Sequence, residues 1–249
     1  MNKKCSFFKF STTFLSKGSG FLFFTVCNKW RNLLKGVTCI FEDKEFHIIS
    51  NDKMPIEQFQ EIVKDIEPYV TAIHLREKQK TARELYEMVQ QLISANIPLA
   101  KIIINDRLDV ALTAKAGGVQ LAFHSLEPGV VKENFPQIRI GSSIHSYQEG
   151  VAAKVNRADY VIYGHIFPSH SKPGMAPKGL EELSRITQLD IPVIAIGGIT
   201  QENAARVIQA GAQGIAVMSG VLNAGDPLAA VKSYIKVLKN GGGKSGEFS

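Results

Sequence analysis

Cysteine is scarce in this 249-residue chain, and the three present, Cys5, Cys27 and Cys39, all fall within the first 44 residues. The rest of the chain offers no thiol nucleophile, thiolate metal site or disulfide framework, and it needs no oxidising compartment. A cytoplasmic protein is expected. Long hydrophobic runs are also missing. The stretch Phe21–Val26 spans six residues, short of the roughly 7 to 15 of a secretory core and the roughly 20 of a membrane-spanning helix. Net charge is missing from most of the chain as well. Residues 1–44 hold eight Lys or Arg against Glu42 and Asp43, which equals the +6 of the whole chain. The body is therefore neutral, and the function classes that need a basic face, nucleic-acid and membrane binding, are not expected. The same segment holds Trp30 and eight of the fourteen phenylalanines. Residues 1–44 read as a basic, Phe-rich, poorly ordered extension, 45–240 as one catalytic domain, and the Gly-rich residues 241–249 as a disordered tail.

What the body has is alternation. Apolar, β-branched runs occur at Phe46–Ser50, Ala72–Arg76, Lys101–Asn105, Gly118–Leu121, Arg139–Ile144, Tyr160–Gly164, Val193–Ile196 and Ile215–Met218. Helical patterns follow them at Ile56–Ile66, Thr81–Ala95, Leu108–Ala116, Gly129–Phe135, Tyr147–Val155, Leu180–Thr187, Glu202–Ala210 and Pro227–Leu238. Thr200 reads as a helix N-cap, Gly211 as a C-cap and Asp226-Pro227 as a helix start. Eight strand-and-helix units in about 200 residues predict an α/β fold, a single (β/α)8 TIM barrel.

In such a barrel the chemistry collects just past the strands' carboxyl ends. Asp159–Gly174 shows the change most clearly: a buried strand gives way at Gly164 to two histidines, two serines and a lysine. His165 is the leading candidate for proton transfer, because an imidazole titrates near neutrality. Gly197 and Gly198 after the seventh strand, with Met218 and Ser219 after the eighth, read as a phosphate cradle of backbone N–H groups. Arg76, Lys78 and Lys172 would bring positive charge to an anionic substrate; for Lys78 a solvated surface role competes about evenly. His47 reads as a satisfied core residue and His74 is undecided. His145 either orients substrate or belongs to a helix cap, and His124 and His170 read as exposed. No histidine pair has a tight metal-ligand spacing, so no metal site is expected.

Several motifs carry a resemblance: His74-Leu-Arg-Glu-Lys78, Ile104-Asn-Asp-Arg-Leu-Asp109, Gly118-Val-Gln-Leu121, Gly141-Ser-Ser-Ile-His145, Asp159 to Lys172, Ala195-Ile-Gly-Gly-Ile199 and Gly211 to Ser219. From Phe46 to about Leu238 the chain resembles the thiamine phosphate synthase superfamily, in particular its TenI-type branch, the thiazole tautomerases. Two departures from the synthase pattern point to that branch. A synthase carries a second aspartate after the fourth strand, which with the Asp of the Asn-Asp pair holds magnesium beneath pyrophosphate; here Ala122-Phe123-His124-Ser125 ends in serine. A synthase typically has Gly-Pro after the sixth strand; here it is Gly164-His165.

The resemblance implies an isomerase, a thiazole tautomerase of thiamine biosynthesis. It would convert a dihydro carboxythiazole phosphate to the aromatic 2-carboxythiazole phosphate, with His165 as general acid and base. Gly197, Gly198, Met218 and Ser219 would hold the phosphate, and Arg76, Lys172, Ser143 and Asn105 the carboxylate and ring. No cofactor or metal is implied, the small-molecule thiazole phosphate carboxylate is the partner, and a homo-oligomer is expected. The alternatives are a magnesium-dependent thiamine phosphate synthase, which Arg76, Lys78, Asn105, Asp106 and Lys172 also fit, and a non-catalytic regulatory protein.

Overall fold

The computed structural model describes residues 44–169 and 174–241. The readings of the amino-terminal extension and of the tail beyond Gly241 therefore lie outside the described residues, as do His170, Ser171 and Lys172. Eight parallel strands close into a barrel in sequence order: β1 (Glu45–Ile49), β2 (Ala72–Leu75), β3 (Ile102–Asn105), β4 (Gly118–Leu121), β5 (Arg139–Ile144), β6 (Tyr160–Gly164), β7 (Val193–Ile196) and β8 (Gly214–Val217). β8 returns to β1 with Glu45 opposite Gly214 and His47 opposite Ala216, so the sheet has no free edge. This is a TIM barrel. Gly214 suits that seam, because a Cβ there would sit 2.2 Å from the Glu45 carbonyl oxygen.

The helices are α1 (Ile56–Ile66), α2 (Ala82–Ser94), α3 (Leu108–Ala114), α4 (Pro128–Asn134), α5 (Tyr147–Val155), α6 (Gly179–Ile186), α7 (Ala204–Gln209), α8 (Ser219–Leu222) and α9 (Pro227–Gly241). Their apolar stripes face the sheet: Phe59, Val63 and Ile66 of α1 are buried at spacings of four and three residues. Strand side chains alternate, so each strand serves two cores. Phe46 and Ile48 of β1, Ile73 and Leu75 of β2, and Val161 and Tyr163 of β6 point outward into the helix-packed core. Ile49, Tyr160, Ile162, Ile194 and Ala216 form a smaller cluster inside the barrel. Each large apolar side chain buried this way contributes about 1.5 to 3 kcal/mol.

Three expectations shift at element ends. Lys101 belongs to a 3₁₀ turn, Leu99–Lys101, closed by its backbone N–H donating to the Pro98 carbonyl at 3.0 Å, and its ammonium reaches the Glu67 carbonyl at 2.8 Å. The seventh helix starts at Ala204 with Asn203 as its cap, not around Thr200. Asn203 is turned backward instead: its side-chain oxygen accepts from Thr200 N at 2.8 Å and its amide donates to Gly198 O at 2.9 Å. Gly241, read as the start of the tail, is the last residue of α9. Gly211 does take the left-handed backbone of a C-cap, with φ 97°, and Asp226 caps α9 by accepting from Ala229 N at 2.9 Å. Among the described residues no helix is long and apolar enough to cross a membrane.

Candidate functional site

The carboxyl ends of the eight strands bring the polar residues to one mouth. At β2, the Arg76 backbone N–H donates to the buried Ser50 hydroxyl at 2.9 Å, tying the ends of β1 and β2 together. Arg76 itself is half-buried and Lys78 exposed, and neither pairs with a carboxylate of a described residue. The cap of α2 sets where that loop ends: the Thr81 hydroxyl accepts from Glu84 N at 3.3 Å while the Glu84 carboxylate accepts from Thr81 N at 2.7 Å.

At β3 and β4, Asp106 has a left-handed backbone, φ 63°, and its N–H is bound to the Gln120 carbonyl at 2.9 Å. Its carboxylate accepts from the Ser125 hydroxyl at 2.8 Å, and Ser125 accepts from Ala122 N at 3.0 Å. His124 is exposed and stands 3.4 Å from the same carboxylate. Phe123 stacks edge-on against it at 4.9 Å. Serine at this position therefore still meets Asp106, as a hydrogen-bond donor rather than a second charge.

Ser143 on β5 accepts from the Gln120 amide at 3.0 Å, so Gln120 on the neighbouring strand β4 holds it. Gly141 makes room for this arrangement, since a Cβ there would lie 2.1 Å from Gln120 Oε1 and 2.4 Å from the Tyr160 ring. His145 is engaged by the start of α5: its backbone N–H donates to the Glu149 carboxylate at 2.7 Å, its ring stands 3.4 Å from the same carboxylate, and its neighbour Ser146 caps α5. The helix-cap reading of His145 is the one the structure takes.

His165 follows the last residue of β6. Its imidazole is only 4% exposed, and Nε2 donates to the Met175 carbonyl at 3.1 Å. Backbone bonds from Lys178 N to His165 O at 2.9 Å and from Gly179 N to Ile166 O at 3.1 Å complete the attachment. The ring thus secures the returning end of the β6–α6 loop. Across from it, Gly197 and Gly198 have φ of 98° and 64°, and a Cβ on Gly197 would lie 2.3 Å from that of His165. Glycine is needed at both positions for backbone angle and for close approach. Met218 is half-buried, Ser219 is exposed at the first turn of α8, and the first N–H groups of a helix have no intrahelical partner.

Beneath the mouth lies a polar chain the sequence reading missed. One guanidinium nitrogen of Arg139 reaches both oxygens of Glu45 at 3.0 and 2.8 Å. Glu45 faces His47 Nε2 at 2.8 Å, His47 Nδ1 faces His74 Nε2 at 3.0 Å, and His74 Nδ1 lies 3.3 Å from the Asn105 amide. Burial by itself would raise the Glu45 pKa, but the hydrogen bonds and charges of His47 and Arg139 outweigh it and hold the carboxyl at about 2. Burial pushes both imidazoles down, His74 furthest, with the neighbouring His47 adding to the effect on His74. The signal was there in period two: Glu45 with His47, and Arg139, Gly141 and Ser143, are polar or small residues at alternate strand positions. His47 is satisfied in the core, as expected.

Residues 46–221 match the Thiamine monophosphate synthase family. The thiamine-phosphate synthase of Pyrococcus furiosus is 35% identical over 197 residues, 78% of this chain and 95% of that protein. The thiamine-phosphate synthase of Chlorobium luteolum is 43% identical over 170 residues, 67% of this chain and 80% of that protein. The structure of a thiamine phosphate pyrophosphorylase from Pyrococcus furiosus superposes with a TM-score of 0.68 at 33% identity, covering 80% of this chain and 97% of that one. These relatives overturn the isomerase assignment: they are named as synthases, which are transferases.

Proposed function

Because this chain belongs to the Thiamine monophosphate synthase family, we propose that it is a thiamine-phosphate synthase, joining a pyrimidine diphosphate to a thiazole phosphate. The observation that carries this reading is the match to named synthases along nearly the whole barrel. In the reaction the carbon–oxygen bond to the diphosphate breaks and a carbon–nitrogen bond to the thiazole ring forms. Pyrophosphate departs with the bonding electrons. The catalytic demand is to stabilise charge growing on that leaving group and to hold two rings in line.

The residues support such a division of labour. Arg76 and Lys78 carry positive charge that no carboxylate among the described residues pairs, at the β2 end of the mouth and suited to a diphosphate. Lys172 would add to it, from outside the described residues. Gly197, Gly198 and Ser219 supply backbone N–H groups for the thiazole phosphate, with Met218 packing beside them. Asn105 and Ser143, half-buried at the ends of β3 and β5, would meet the rings between the two anionic ends.

A magnesium ion is implied by this family reading, and the donor set suits it. Asp106 and Ser125 present oxygen atoms 2.8 Å apart, and Mg²⁺ commonly takes one or two carboxylates with the rest of its shell from water and substrate phosphates. Asp106 and Ser125 would hold the ion, which when bound neutralises charge on the diphosphate. With one carboxylate in place of two, the site is expected to hold magnesium more weakly than a two-carboxylate site. The test is to incubate the protein with both substrates and follow thiamine phosphate. Product should form with magnesium, vanish with EDTA, and fall at least about 100-fold in Asp106→Asn. No product at saturating magnesium would sink the proposal.

A further inference from the structure

We infer that Glu45, at the closed end of the barrel, sets through His47 and His74 which end of the Asn105 amide faces the mouth, turning its oxygen toward the substrate. A carboxylate can only accept, so His47 must carry its proton on Nε2, 2.8 Å from Glu45. A neutral His47 then has a bare Nδ1, which requires the facing His74 Nε2, at 3.0 Å, to be the donor. His74 Nδ1 is thereby left as an acceptor. The Asn105 oxygen drawn 3.3 Å from it would set acceptor against acceptor, so the amide NH₂ belongs there and the oxygen points outward.

The opposite polarity would need a doubly protonated His47 or a doubly protonated His74. Glu45 already has its counter-charge in Arg139, so a second cation would leave an unpaired positive charge in a fully buried pocket walled by Tyr160, whose ring meets His47 edge-on at 5.7 Å. Burial disfavours the cation on the same grounds. The relay therefore runs one way, from mouth to floor. Each proton position is dictated by the carboxylate at the end. Asn105 is then a specificity residue that offers an acceptor, and Glu45, His47 and His74 are positioning residues that never touch the ligand. The inference about proton positions stands alone; its effect on turnover rests on the proposed synthase reading.

The test is histidine tautomer assignment by long-range ¹H–¹⁵N spectra of labelled protein at pH 7. Both His47 and His74 are expected as Nε2–H. Glu45→Gln keeps an oxygen on Arg139 and turns an NH₂ toward His47, which should invert both rings to Nδ1–H and flip Asn105. The coupling reaction should then lose about tenfold in kcat/KM through KM, because a donor replaces an acceptor at the mouth. An Nδ1–H tautomer or an imidazolium at either ring in the unaltered protein would overturn the inference, and so would inverted rings with an unchanged KM. Should Glu45→Gln fail to fold, the tautomers of the unaltered protein still decide. Absence of coupling in the unaltered protein would count against the proposed function alone, since the spectra need no substrate.

Discussion

His165 shows how one side chain's neighbours change its meaning. An imidazole just past a strand end suggests acid–base work, yet here it is buried and donates to a carbonyl of its own loop. His165→Asn should therefore leave the barrel folded and loosen the loop that returns to α6. Steady-state kinetics of coupling should show KM rising and kcat falling by less than about tenfold, well under the roughly 10² to 10⁴ that a proton-transferring group contributes. A hundredfold loss in kcat at constant KM would contradict the anchoring role. Gly197 is coupled to this, since its missing side chain is what lets the His165 Cβ approach.

At the scale of elements, the loops that build the mouth are held by the helices that follow them. The β2–α2 loop carries Arg76 and Lys78 and ends in the reciprocal cap between Thr81 and Glu84. Thr81→Ala removes the hydroxyl that satisfies the third N–H of α2, and urea unfolding should report a loss of about 1 kcal/mol. Because the helix start also fixes the loop's exit, the KM for the pyrimidine diphosphate should rise by about two- to fivefold, in step with that loss. The β7–α7 turn works differently. Asn203 spends its side chain on Gly198 and Thr200 rather than on its own helix, stiffening the glycine pair at the expense of a helix cap.

For the molecule as a whole, the buried relay makes stability depend on pH. His47 and His74 have folded pKa values below the ordinary 6.5, so the unfolded chain binds more protons as pH falls through 6.5. Their contribution is fully present above that pH and lost below it. Glu45 acts lower down: its folded value of about 2 against the ordinary 4.5 gives stability present above 4.5 and lost between there and 2. Urea denaturation should show stability falling by more than about 1 kcal/mol from pH 7 to pH 5, and falling again below pH 4.5. A flat profile between pH 7 and 5 would mean that the two imidazoles are not held neutral.

The barrel and the composition of its mouth were readable from the chain alone, because both rest on local rules. β-branched runs of four to six residues, helical spacing between them and glycines at turns need no knowledge of what lies across the sheet. That is why the strand ends, the Gly197-Gly198 turn and the Asp226 cap were where the pattern put them. The roles were another matter. Whether His165 works or anchors depends on Met175 in the folded loop, and whether Ser125 matters depends on its meeting Asp106 across two strands. Glu45 and Arg139 stand 94 positions apart, and only closure of β8 onto β1 turns them, with two histidines, into a line of hydrogen bonds. Side-chain identity and spacing determine which groups reach the interior. Barrel register decides which of them share a proton, because hydrogen bonds form over about 3 Å and no local pattern measures that distance between distant strands.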